Sequence, residues 1–307
     1  MDLILCADSF YEFVEDLEIE LSTYCNAKCP LCYRNHINFK SHYPKNFERD
    51  YDDLIKQLKR FKNVKYIRLV GTVSEPTLYS KFLDLCKFIK TSFNWEIEIC
   101  TNGDTHDTNF WYDLGKILAD TDKVYFTICG STQELHEKYR VGTSLKNILK
   151  NAESLRKARR IDYAQIIRFS YNSDDLDSEY FKKIVEPFTN KYYTETFLRL
   201  NINNYRNKQN LDLLGVNPHK KYKYNIAEKL STLNLKSNCD CKAFNNKWGQ
   251  IDVYGNLYPC YRFLEFSNGK LWDFDYSKIK KNLYDSCKFC RRDVVKFLKD
   301  NDLEYII

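Results

Sequence analysis

Leu17-Glu18-Ile19-Glu20-Leu21-Ser22-Thr23-Tyr24-Cys25-Asn26-Ala27-Lys28-Cys29-Pro30-Leu31-Cys32 sets the frame for the whole chain. Leu17 to Leu21 reads as a strand, and it runs straight into a loop that carries three cysteines. Apolar, β-branched segments of the same kind recur at Tyr66 to Val70, Glu96 to Cys100, Val124 to Ile128, Gln165 to Phe169 and Phe197 to Ile202. Between these six predicted strands lie helical patterns at Tyr51 to Lys62, Lys81 to Ser92, Asn109 to Ala119, Ser144 to Arg159 and Ser178 to Phe188, each with apolar residues at three-and-four spacing. The repeating unit is therefore βα, which calls for a parallel sheet with crossover helices. Six units of roughly 30 residues suit an α/β fold of the partial (β/α)6-barrel type. No GxGxxG follows the first strand, which counts against a dinucleotide-binding sheet.

In parallel α/β barrels, reactive groups collect at the C-terminal ends of the strands, where the βα loops meet. Cys25, Cys29 and Cys32 follow the first strand, and Gly71 with Ser74-Glu75-Pro76 follows the second. Thr101-Asn102-Gly103 follows the third, and the fourth ends at Thr127, Cys129 and Gly130. Polar and sulfur-bearing residues thus gather at one rim.

After residue 203 the βα rhythm stops, so residues 1–203 read as the core domain. Residues 204–238 are polar, rich in Asn, Lys and Tyr, and read as a bridging segment. Residues 239–307 read as a small Cys-rich subdomain that opens with short β segments at Lys247 to Val253 and Leu257 to Tyr261 around the turn Tyr254-Gly255-Asn256.

Across 307 residues, 48 basic and 42 acidic side chains are mixed along the chain, and the net charge of +6 supports solubility rather than nucleic-acid binding. The densest basic stretch, around Lys220, Lys221 and Lys223, reads as a solvated face. No apolar run approaches the roughly 18 residues that span a bilayer, and Asp2, Asp8, Glu12 and Glu15 make an acidic start unlike a secretory signal. The expectation is a cytoplasmic protein without a membrane partner. In a reducing compartment, 12 cysteines in uneven groups point to metal or redox chemistry rather than disulfides.

Thiolates are soft, strongly donating ligands for iron-sulfur clusters and zinc. A structural zinc site closes with four ligands, whereas a cubane on three thiolates leaves one iron open. A zinc site completed by His36 or His42 is the alternative for the CxxxCxxC loop. With its position after the first strand of a partial barrel, however, the loop resembles the signature of the radical S-adenosylmethionine superfamily, and the resemblance spans about residues 17 to 202. It implies a [4Fe-4S] cluster on Cys25, Cys29 and Cys32 whose open iron binds S-adenosylmethionine. The stretch Gly71 to Pro76 resembles the family's Gly-Glu-Pro loop, which implies that Gly71, Ser74 and Glu75 bind the cofactor, Glu75 as counter-charge to its ammonium. Ser74 stands where the family has glycine, and Leu31 where an aromatic residue commonly precedes the third cysteine. Asn102, Thr127 and Arg168 are further cofactor-binding candidates by the same resemblance, Thr127 and Arg168 for the ribose and carboxylate; a packed threonine and a salt-bridged arginine are the alternatives.

Cys241, Cys260, Cys287 and Cys290 resemble the Twitch subdomain, the short form of SPASM, which implies a second, auxiliary [4Fe-4S] cluster. Cys239 is the alternative to Cys241, and a zinc ribbon is the alternative to the cluster. Cys6, Cys86 and Cys100 read as small packing residues. Cys129 reads either as a packing residue of the same kind or as a group that reaches the active site as hydrogen donor or substrate contact. The resemblance implies a radical enzyme that draws single electrons from an external reductant such as flavodoxin or ferredoxin. The substrate is expected to be a small molecule or carbohydrate, since only about sixteen residues precede the first strand and leave no room there for a peptide-recognition domain. A peptide-modifying enzyme that crosslinks or epimerises is the alternative. A non-catalytic scaffold would have no use for the Glu75 and Thr101-Asn102-Gly103 context.

Overall fold

Successive side chains leave a strand on opposite faces, so a sheet that packs helices on one face needs apolar residues at every second position. A computed structural model describes residues 11–30, 32, 34, 46–159, 162–195 and 247–258 and shows this alternation in the core strands. These are β1 (Asp16–Ile19), β2 (Tyr66–Leu69), β3 (Glu96–Thr101), β4 (Lys123–Ile128) and β5 (Tyr163–Arg168), joined by β6 (Asn190–Glu195). Leu17, Ile19, Ile67, Leu69, Ile97, Ile99, Val124, Phe126, Ala164 and Ile166 from the first five enter one core.

The helices that cover this face are α1 (Tyr51–Leu58), α2 (Phe82–Ser92), α3 (Thr108–Ile117), α4 (Gln133–Glu137), α5 (Leu145–Ala158), α6 (Ser173–Leu176) and α7 (Glu179–Val185). They contribute Leu54, Leu58, Phe82, Leu85, Ile89, Trp111, Leu114, Ile148, Leu155 and Phe181 to the same core. Their starts are encoded locally. Asp50, Asp107, Thr132, Ser144 and Ser178 each accept a backbone N–H of the first turn on the side chain, a cap worth about 1 kcal/mol.

The sheet order is β6-β5-β4-β3-β2-β1-β7-β8. Pairing is parallel from β6 through to β7 (Trp248–Ile251), and β8 (Leu257–Tyr258) returns antiparallel to β7. This is the expected α/β architecture of parallel strands and crossover helices. Two particulars differ from the sequence reading. The expected sixth strand, Phe197 to Ile202, lies outside the described residues; the segment that pairs with β5 is Asn190–Glu195, where Tyr192, Tyr193 and Thr194 have the aromatic and β-branched preference of strands without an apolar run. The hairpin placed in the C-terminal subdomain is hydrogen-bonded to β1, with Glu18 opposite Gln250, so it extends the core sheet. Its turn passes through Gly255 at φ 87°, and Asp252 Oδ1 accepts the N–H groups of Tyr254 and Asn256.

Candidate active site

The loop after β1 is tied to every loop beside it at the C-terminal rim. Lys28 N donates to Val141 O at 2.8 Å and Glu75 N to Tyr24 O at 2.7 Å. Asn26 bridges to the loop after β3, donating from Nδ2 to Asp104 O at 2.7 Å and accepting from Asn102 Nδ2 at 2.8 Å. These contacts join the loop after β1 to the loops after β2, β3 and α4.

Its three thiols pack in one cluster. Cys29 is buried with Ala27, Cys129, Tyr139 and Phe169, and the half-buried Cys25 and Cys32 pack against this group. Cys32 N donates to Cys29 O at 3.1 Å, which folds the end of the motif into a turn. All three are free thiols, and burial, with the Glu75 carboxylate and Cys32 adding to it, pushes the Cys25 thiol up to about 12. Arg140 Nη1 donates to Cys29 Sγ at 3.5 Å, and Arg140 Nε is buried without a partner. A guanidinium beside the thiols stabilises negative charge on sulfur. Three soft thiol donors packed in one cluster are of the kind that hold an iron-sulfur cluster.

Gly71 opens the loop after β2 at φ 56°, and a Cβ there would lie 2.3 Å from Ser74 O, so only glycine makes this turn. Glu75 is 3% exposed. Its Oε1 accepts from Thr101 Oγ1 at 2.6 Å and Thr77 Oγ1 at 2.8 Å, and its Oε2 accepts Asn102 N at 2.7 Å. Burial raises its pKa against these bonds. Glu75 thus clamps the second-strand loop to the third, a protein-internal role that sequence did not disclose. Ser74 Oγ donates to Glu20 Oε2 at 3.2 Å, and Glu20 also accepts the N–H groups of Thr72 and Val73.

The other candidates are dispersed. Thr127 is buried and donates to Gln165 Oε1 at 3.0 Å on the inner face of the sheet. Arg168 pairs with Asp177 at 2.8 Å and donates to Ser173 Oγ at 2.9 Å, which is the salt-bridged alternative. Cys129 has no exposed surface. Its N–H donates to His136 Nδ1 at 3.2 Å, its carbonyl accepts Asn172 Nδ2 at 2.8 Å, and burial pushes its thiol up to about 12. Cys129 packs in one buried cluster with Cys29. Cys241, Cys260, Cys287 and Cys290, with Cys239, lie outside the described residues.

Sequence reasoning missed the inner face of the sheet. Asp16, Glu18 and Glu20 of the first-strand segment stand there with Arg68 and Glu98. Arg68 binds Asp16 through Nε at 2.7 Å and Nη2 at 2.8 Å and reaches Glu98 at 3.0 Å. Burial lifts Glu18 to about 8, with Glu20 adding to it, and lifts Glu20 to about 7. Charges at every second position of otherwise apolar strands were the available signal.

Thiols clustered at the C-terminal rim of a parallel α/β sheet can offer soft donors to a metal centre. Residues 19–168, just under half of the chain, match the Radical SAM superfamily model. The tungsten-containing aldehyde ferredoxin oxidoreductase cofactor-modifying protein of Pyrococcus furiosus is 24% identical over 94% of this chain and 90% of its own length. Streptococcus suis SuiB, solved with its precursor peptide SuiA, aligns at TM-score 0.57 and 14% identity over 86% of this chain. This chain covers 63% of SuiB. Native anSMEcpe, solved with AdoMet and the Cp18Cys peptide, aligns at TM-score 0.51 and 17% identity over 84% of this chain and 75% of its own. These structural likenesses establish the shared fold.

Proposed function

We propose that this chain is a radical enzyme that abstracts a hydrogen atom from a small polar molecule of carbohydrate type held against the inner face of the sheet. Cys25, Cys29 and Cys32 would hold a [4Fe-4S] cluster, and the loops at Gly71 to Glu75 and Thr101 to Gly103 would cradle S-adenosylmethionine. With these groups bound, one-electron reduction supplies the 5'-deoxyadenosyl radical that takes the hydrogen. The chain's own part is placement. Glu75, Asn102 and Asn26 hold three loops in one register, and Arg140 keeps positive charge beside the cluster thiols.

The polar inner face supports the substrate class most directly, since strands covered on both sides are otherwise apolar. The Pyrococcus furiosus relative is named for modifying a cofactor, which agrees with a non-polypeptide substrate. Cys241, Cys260, Cys287 and Cys290 would carry an auxiliary cluster, and a flavodoxin- or ferredoxin-type protein in the cytoplasm would deliver electrons. Among the described residues no helix is long and apolar enough to cross a membrane.

Deuterium transfer into 5'-deoxyadenosine tests the substrate class. Reconstituted enzyme is incubated with the low-molecular-mass and the peptide fractions of an extract from cells grown in deuterated medium. The proposal expects label from the low-molecular-mass fraction. Label from the peptide fraction alone would make this a peptide-modifying enzyme.

A further inference from the structure

Arg68 does not neutralise the whole inner face. It is bound to Asp16 and Glu98, whereas Glu18 makes no ion pair with the described residues. Glu18 receives only neutral donors, Gln250 Nε2 at 3.0 Å and Thr72 Oγ1 at 3.2 Å, and both bind Oε1. Gln250 is itself fully buried, and its Oε1 has no hydrogen-bond partner. Buried amide oxygens are rarely left so, because the lost hydration is not returned. Register places the two residues directly opposite each other on β1 and β7. A carboxyl group that Arg68 offsets only from a distance, without an ion pair, and an amide oxygen without a donor therefore stand side by side on one face.

The pair is complementary to a group that brings several N–H donors and a positive charge together. A hydroxyl has one donor and no charge, so it satisfies one acceptor and leaves the carboxylate uncompensated. We infer that Glu18 and Gln250 form a subsite for a primary ammonium group of the substrate. An ammonium has three donors on one compact centre and can engage both acceptors at once. The groups facing Glu18 agree with this. Burial, Glu20 and Asp16 disfavour its charge, Thr72 and Arg68 favour it, and an arriving cation completes the balance. Glu20, two residues on, holds the Thr72-Val73-Ser74 loop. The ammonium thus binds one step deeper in the sheet than the cofactor loops, which leaves the rest of the substrate toward the rim. The inference rests on the proposed placement of substrate on the inner face.

Ligand-observed NMR on the full chain, reconstituted anaerobically with S-adenosylmethionine present, tests it with butylammonium against 1-butanol. Two further pairs, glucosamine against glucose and Nα-acetyl-lysine amide against Nα-acetyl-norleucine amide, present the same group from a sugar and from a peptide. Wild-type protein is expected to prefer the amine at least about tenfold in one pair or more, the size of a charge-assisted hydrogen bond. The pair with the larger preference names the source. Glu18→Gln should bring that ratio close to one, and Gln250→Leu should lower it about threefold or more by removing the second acceptor. Thermal melts confirm folding, and Gln250→Leu carries the test if Glu18→Gln does not fold. Equal binding within all pairs, or an unchanged preference in the variants, overturns the subsite. Formation of 5'-deoxyadenosine is measured in the same samples. Its failure tells against the proposed reaction, while the amine preference is read without turnover.

Discussion

Glu75→Gln changes one oxygen of the clamp between the second- and third-strand loops. The carboxylate accepts Asn102 N at 2.7 Å on Oε2, and Thr101 Oγ1 at 2.6 Å and Thr77 Oγ1 at 2.8 Å on Oε1. A glutamine must put an NH2 on one side. Backbone N–H cannot turn into an acceptor, so the amide oxygen will stay on Asn102, the shorter of the two backbone bonds, and the NH2 will face the two threonine hydroxyls and lose the bond from Thr77 N at 3.4 Å. Those hydroxyls are already engaged: Thr101 Oγ1 accepts Gly103 N at 2.9 Å, and Thr77 Oγ1 is 2.6 Å from Thr105 Oγ1. Hydrogen bonds to a charged acceptor contribute about 1.5–3 kcal/mol each, and neutral replacements about 1. Relief of the buried charge, visible in the raised pKa, offsets part of the loss. The expected net cost is about 1–3 kcal/mol, or a fall of a few degrees in Tm. Anaerobic thermal melts with and without S-adenosylmethionine, beside an iron assay, make the measurement. The variant should keep its iron, melt lower, and gain less from the cofactor than wild type, because Asn102 and Asn26 lose their register. An equal Tm with an equal cofactor-induced rise would refute the clamp.

Three further outcomes follow from the same geometry. Arg140→Met removes a cation that touches Cys29, so the cluster on the triad should become harder to reduce, and a redox titration followed by electron paramagnetic resonance should give a lower midpoint potential. Cys129→Ala should cost about 1–2 kcal/mol through a small cavity beside Cys29 and leave product formation intact; loss of product with normal 5'-deoxyadenosine would restore the hydrogen-donor role. Glu18, raised from 4.5 to about 8, contributes stability that is complete below its unfolded pKa and is lost as pH rises through about 8. At about 1.4 kcal/mol per pH unit the limit is about 5 kcal/mol. Chemical unfolding between pH 5 and pH 9 should show Glu18→Gln losing less stability than wild type over that window; parallel curves would show that Glu18 is ionised throughout.

Much of this was legible in the chain, and the omissions have physical causes. The strands at Tyr66, Glu96 and Val124 declared themselves because apolar residues recur with a strand's period between helices whose caps are local. Asn190–Glu195 did not, since it is built from Asn, Lys, Tyr, Thr and Glu without an apolar run. The docking of Trp248–Ile251 onto β1 joins residues more than 200 positions apart, and no periodicity reports such a pairing. The thiol loop was readable as a motif, whereas Arg140 reaches Cys29 only through the turn after α4. The carboxylates of Glu18 and Glu20 were visible as letters. Their meaning depended on which face of the sheet they share with Arg68 and Gln250.

The central claim is that Cys25, Cys29 and Cys32 support reductive cleavage of S-adenosylmethionine. Protein reconstituted with iron and sulfide, reduced with dithionite and supplied with the cofactor, should form 5'-deoxyadenosine and methionine. It should hold about eight iron atoms per chain, four for each of two cubanes. Replacing the three cysteines together with alanine should abolish 5'-deoxyadenosine and remove about four iron atoms, leaving the auxiliary cluster. A triple variant that keeps its full iron content and still cleaves S-adenosylmethionine would contradict the account.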